Sequence, residues 1–268
     1  MTDFSPPLAL MAQAARRTAR GFAREFGEIG YLQSSLKGQT GFAANTHTKM
    51  SEALREELAP SGYGFYDDSP SLTSHTRCWV ATPLDGAINF LHGIPAVAIS
   101  IALEDEGECI AGVVYNPLTG ELFRTERGVG AFLNNRRLRV SARNQLTEAI
   151  VAVHPPGTRS ADFAPYTIQQ ATLAPKISGL RQSGCPSLDL ALLATGRLDG
   201  FWGYSLTPQA IAAGILLVRE AGGHVTDMQN IPTTLASPFG GHVVAAPASL
   251  HEKMHETLTK AHPRQQND

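Results

Sequence analysis

The 268-residue sequence predicts a mixed α/β protein built in layers, and three observations carry that prediction. Residues 8 to 58 hold apolar positions at helical spacing, residues 96 to 140 break into short apolar segments separated by turn residues, and from residue 149 strand-like and helix-like segments alternate. A hydrophobic fraction of 43% in a chain of this length is enough to bury a sizeable core.

Leu8, Met11, Ala15, Phe22 and Phe26 recur at roughly helical spacing over residues 7 to 28, with Arg16, Arg17, Arg20 and Arg24 largely on another face. This predicts one amphipathic helix whose basic side is solvated. The polar stretch SSLKGQTG reads as a connector, and THTKMSEALREEL as a second helix with Met50, Leu54 and Leu58 on one face and Thr46 or Thr48 as its N-cap. CWVATPLDGAINFLHG, residues 78 to 93, runs from a strand through Pro83 to Asp85-Gly86 and into a short helix. That geometry suits an acidic side chain and backbone N–H groups placed around a phosphate.

The segments between DEGE, NPLTG, RGVG and LNNR turns predict an antiparallel meander. AIVAVH, LDGFWGY, GHVTD and GHVVAA then read as strands, and SADFAPYTIQQATL, PSLDLALLATG, TPQAIAAGILLVREAGG and SLHEKMHETLTKA as helices. We expect one domain over residues 1–268, with subdomains 1–145 and 146–262 and a polar tail at 263–268.

Lys and Arg number 22 against 24 Asp and Glu, a net charge of -2 that points neither to nucleic acid nor to an acidic membrane surface. Three cysteines without C-x-x-C spacing predict no disulfide framework, and the N-terminal stretch lacks a signal-peptide pattern, so a cytoplasmic location is expected. His154, His224 and His242 stand in strand-like settings without ligand spacing and read as structural, and Asp189 and Asp199 as local caps or pairs. Cys185 reads as a small loop cysteine with no basic neighbour to activate it.

GYGFYDDS, WVATPLDGAINFLHGIP, GVVYNPLTGELFRTERGVGAFLNNRRLRVS, GRLDGFW and AIAAGILLVREAGGHVTD together resemble the inositol monophosphatase family, over nearly the whole chain between about residues 8 and 260. The resemblance implies a layered α-β-α-β-α sandwich of the inositol monophosphatase and fructose-1,6-bisphosphatase type. It also implies Mg²⁺-assisted attack of water on a phosphate monoester, and a homodimer.

Carried over residue by residue, the family's metal-ligand positions fall on Asp67, Thr82, Leu84 through its backbone carbonyl, Asp85 and Ala210. Only Asp67 and Asp85 keep a carboxylate. The pair that orients the attacking water falls on His47, where the family has Asp, and Ala87, where it has Thr. The substrate-side positions are Gly86, Ala87, Gly184, Cys185, Pro186 and Gly203, with Pro186 removing a backbone N–H and Gly203 standing where animal members carry Glu.

Thr82, Ala210, His47 and Ala87 strike metal binding and water activation together. The leading expectation is therefore a catalytically impaired or inactive member, with weak or absent Mg²⁺ binding and a binding or regulatory role. Its ligand would be a phosphorylated small molecule or anion, or a protein partner. The alternative is a residual metal-dependent phosphatase acting on an inositol or sugar phosphate.

Overall fold

The computed structural model describes residues 5–31, 36–66, 77–233 and 241–261. The amino-terminal helical pattern is cut in two: α1 spans Pro6–Thr18 and α2 spans Phe22–Tyr31, with Gly21 between them at φ +83°. A residue in the left-handed region ends a helix cleanly, so the single helix expected over 7–28 is corrected to a helix pair. The opposite error follows. SSLKGQTG is no connector, because α3 runs from Leu36 to Leu58 and takes in Gly38 and Gly41, each costing a helix about 1 kcal/mol that tertiary packing overrides. Thr46 is a buried mid-helix residue and no cap, while Met50, Leu54 and Leu58 are buried together as expected.

Strands β1 (Gly64–Phe65), β2 (Arg77–Asp85), β3 (Ala98–Asp105), β4 (Glu108–Asn116), β5 (Glu121–Glu126), β6 (Gly130–Leu133) and β7 (Arg136–Arg137) form one sheet in sequence order. From β2 onward every pairing is antiparallel, which is the expected meander. Strands β8 (Ile150–His154), β9 (Gly179–Arg181), β10 (Gly200–Gly203), β11 (Gly223–Thr226) and β12 (Val243–Pro247) form a second, mixed sheet in the order β11-β12-β10-β8-β9. The short helix after β2 is α4, Ala87–Leu91, and the remaining helices are α5 (Phe163–Leu173), α6 (Pro186–Ala194), α7 (Pro208–Glu220) and α8 (Ala248–Lys260).

Strand periodicity distributes these elements into layers. Trp79, Ile99, Ile101 and Val113 point from the first sheet to α1–α3, whereas Val80, Ala98, Ala102 and Val114 point to α6 and α7. Ala152, Phe201 and Ala245 of the second sheet close on α6 and α7 from the other side, and Val151, Val153 and Trp202 face α5 and α8. The order is helices, sheet, helices, sheet, helices. Helix α7 is buried from Ala210 to Val218, as a helix packed between two sheets must be. Among the described residues no helix is long and apolar enough to cross a membrane.

Candidate active site

The site forms where β2 leaves its regular pairing with β3. Register shifts between Thr82, opposite Ser100, and Asp85, opposite Ala98, so Pro83 and Leu84 bulge and Asp85 is re-aimed. Gly86 follows at φ +82°, with Ala96 O against its α-carbon, a turn that leaves no room for a side chain. Asn89 of α4 then donates through Nδ2 to Ala96 O and to Ser183 O, both at 2.7 Å, and so ties this turn to the loop before α6.

Asp85 completes the tie. Its Oδ2 accepts from Ser187 N at 2.8 Å, Ser187 Oγ at 2.6 Å and Cys185 Sγ at 3.3 Å, and its Oδ1 accepts from Gly86 N at 3.0 Å. Burial pushes the Asp85 carboxyl above its usual range, and the bonds from Ser187 and Cys185 oppose that rise. A second buried carboxyl, Asp189, accepts from Ser183 Oγ at 2.7 Å and is pushed up to about 7 by burial, with the charge of Asp85 adding to the rise. The same burial drives the Cys185 thiol well above its normal range, so it is an inert donor and no nucleophile.

The other predicted positions divide into three groups. Gly86, Gly184, Cys185 and Pro186 meet at this turn, with Cys185 and Pro186 opening α6. Thr82 lies half-buried on β2, Leu84 is buried, and Ala210 sits in the first turn of α7 with a methyl group and 9% exposure. His47 of α3 and Ala87 of α4 line one cavity of about 300 Å³ with Thr40, Ala43, Ala44, Leu84, Ile88, Phe90 and Leu91. Asp67 lies outside the described residues.

Gly203 ends β10, and a Cβ added there would come within 2.9 Å of Leu206 Cδ1 and 3.2 Å of His154 Cβ. A glutamate at 203 does not fit without displacement. His154 itself ends β8 close enough to Asp85 for the carboxylate to raise its pKa, although burial, the larger effect, lowers it. Its Nδ1 is buried and finds no hydrogen-bond partner among the described residues. Reading His154 as merely structural missed this proximity, and reading Asp199 as locally paired missed that its partners are distant in sequence: Asp199 binds Arg143 at 2.8 Å and accepts from Ile150 N. No sequence spacing signals either contact.

The described donors do not fit a magnesium ion. They comprise one carboxylate that already accepts four hydrogen bonds, the Leu84 backbone carbonyl and a threonine hydroxyl, with Asp67 outside the described residues, whereas magnesium favours an octahedron of hard oxygens held by anionic ligands. Among the described residues, no group of three or more His, Cys, Asp or Glu side chains gathers as a metal cluster. What the arrangement does chemically is hold two loops and a helix together through the half-buried Asp85 carboxylate.

Comparison with known proteins gives the lineage of this frame. The model of the inositol monophosphatase family matches residues 34–265. An inositol-1-monophosphatase of Rhizobium meliloti is 40% identical over 261 residues, covering 96% of this chain and 97% of the relative. A Nus factor SuhB of Pasteurella multocida is 32% identical over 268 residues, covering 97% of each. The crystal structure of the extragenic suppressor protein suhB from Bartonella henselae superposes with a TM-score of 0.83 at 38% identity, covering 96% of this chain and 99% of that one. With the layered sandwich, the Asp85-Gly86 turn and this full-length likeness together, the chain belongs to the inositol monophosphatase family.

Proposed function

We propose that this chain is a non-hydrolysing member of the inositol monophosphatase family, which keeps the frame of the site and uses it for binding or regulation. The observation that carries the reading is the state of Asp85. Its carboxylate already accepts from Ser187, Cys185 and Gly86, three of the four bonds falling on Oδ2, while the positions expected to supply further ligands hold Thr82 and Ala210. Two lost carboxylates at close range remove several kcal/mol of attraction for a divalent cation at an effective dielectric of about 20. Magnesium binding is accordingly weak or absent in this reading, and His47 and Ala87 supply no polarised water.

The names within the family agree with a role outside hydrolysis, since relatives at about a third identity are called Nus factors. A protein partner, or a second copy of the chain, belongs to the same proposal. A second reading has support of its own: the 40% identity to a chain named inositol-1-monophosphatase favours a residual metal-dependent phosphatase acting on an inositol or sugar phosphate, with Asp67 and Asp85 as its acids.

The deciding experiment is hydrolysis of a panel of sugar phosphates with Mg²⁺, by the unaltered chain and after stepwise repair. Repair is Thr82→Asp with Ala210→Asp, then His47→Asp with Ala87→Thr. Activity that appears only after repair is the expected result. Turnover by the unaltered chain that Asp85→Ala abolishes overturns the proposal in favour of the residual enzyme.

A further inference from the structure

The cavity between α3 and α4 carries chemistry of its own. Thr40, Ala43, Ala44 and His47 follow the i, i+3, i+4, i+7 spacing that places them on one face of α3, and Ala87, Ile88 and Leu91 of α4 stand opposite. Leu84 and Phe90, both buried, form the floor. Three alanines leave the space open, about 300 Å³ of it, and among the described residues no lining side chain is a carboxylate, a lysine or an arginine. The two polar groups are the Thr40 hydroxyl and the His47 imidazole, and both residues are exposed. At the mouth Ile88 keeps 74% of its surface in water, the largest exposure of any aliphatic side chain among the described residues.

We infer that this cavity binds a small uncharged aromatic molecule of about two fused rings carrying a single hydrogen-bonding group. The inference rests on the non-hydrolytic reading above and assigns the ligand class of the same cleft. Size sets the ring count: an apolar cavity of about 150 Å³ holds one benzene ring, and this one has about twice that volume. The lining sets polarity, because small-molecule sites combine a predominantly apolar wall with a few polar groups that fix orientation, and here the rim imidazole of His47 fills that part. The floor sets shape. Phe90 lies in an aromatic cluster with Phe22, Phe26 and Phe42, at 5.2, 6.3 and 6.5 Å between ring centroids, so the ligand meets a held ring. An anionic sugar phosphate meets no lysine or arginine side chain among the described residues of these walls.

The test uses the full chain, with 1-naphthol as probe followed by intrinsic fluorescence and by calorimetry, with and without Mg²⁺. Saturable one-to-one binding is expected, indifferent to Mg²⁺ and to competing myo-inositol. Ala44→Phe, which fills the cavity from an exposed helix position, weakens it at least tenfold, and Ile88→Ser, at the mouth, weakens it several-fold. Circular dichroism and melting temperature establish that both surface variants fold. Absence of saturation, or an affinity unchanged in both folded variants, overturns the inference.

A parallel incubation with 1-naphthyl phosphate separates the two proposals. Release of naphthol with Mg²⁺ refutes the non-hydrolytic reading while saturable naphthol binding still stands. No binding together with no hydrolysis refutes the ligand assignment alone.

Discussion

Replacing Asp85 with alanine tests the structural role of the carboxylate most directly. In a metal centre, removing one of several mutually repelling carboxylates relieves the metal-free protein. Here the carboxylate serves as acceptor for a residue with no exposure at all: Ser187 N–H and Ser187 O–H both point at Oδ2, at 2.8 and 2.6 Å. Stranding a buried donor costs about 1–3 kcal/mol, so two stranded donors cost about 2–6 kcal/mol. Loss of the buried charge, whose ionisation burial opposes, offsets part of this. We expect Asp85→Ala to destabilise the fold by about 2–4 kcal/mol, read as a fall of about 1 M or more in the urea midpoint at unchanged slope. Ser187→Ala combined with it in a double-mutant cycle should cost much less than the sum of the two single changes. A variant as stable as the parent, or more stable, refutes the argument, because the carboxylate would then be a strained ligand position and no clasp.

Two further predictions concern pH. The Asp189 carboxyl is raised from 3.8 to about 7 in the folded chain, so its contribution is fully present below about pH 4 and is lost as pH rises through 7; Asp189→Asn keeps an acceptor for Ser183 and should flatten the decline between pH 5 and 8, which urea unfolding across that range measures. A stability difference between parent and Asp189→Asn that stays constant over this window contradicts it. His251 has the opposite sign: burial lowers its pKa below 6.5, with His255 and His224 adding, and its Nε2 lies 3.0 Å from Thr226 Oγ1. Its contribution is complete above pH 6.5 and is lost on acidification, so from pH 7 to 5 the parent should lose melting temperature relative to His251→Gln; equal slopes in both chains would exclude His251 as a contributing group.

How much of this was legible in the sequence depends on how local each cause is. Pro83 to Gly86 marked its own turn, and the apolar runs of α6 and α7 marked their own helices, because the interactions that shape them lie within a few residues. The break at Gly21 and the continuity of α3 through Gly38 and Gly41 were not legible. Glycine is ambiguous between stopping a helix and being tolerated in one, and packing decides. The edge strands β1 and β9, with two and three residues, carry too little pattern to be seen.

At the site, substitutions such as Thr82 and Ala210 could be read by position, but the engagement of Asp85 could not. Its partner Ser187 is 102 residues away, and only the layered fold brings them together. The same holds for His154 beside Asp85 and for Arg143 with Asp199, 56 residues apart. Residue identity marked the positions that depart from the resemblance. Topology determined what the survivors hold.

Helix α7 has a consequence for how such a protein changes over time. Ala210, in the first turn, is buried with 9% exposure, and one turn on the helix is closed to any side chain, since a Cβ at Gly214 would lie 2.7 Å from Leu190 Cβ of α6. The spacing of this rod against its neighbour is therefore locked by the core. A lineage built on such a rod keeps its pedigree readable whatever the chemistry at its ends, because substitutions that would blur the fold are the ones this packing rejects.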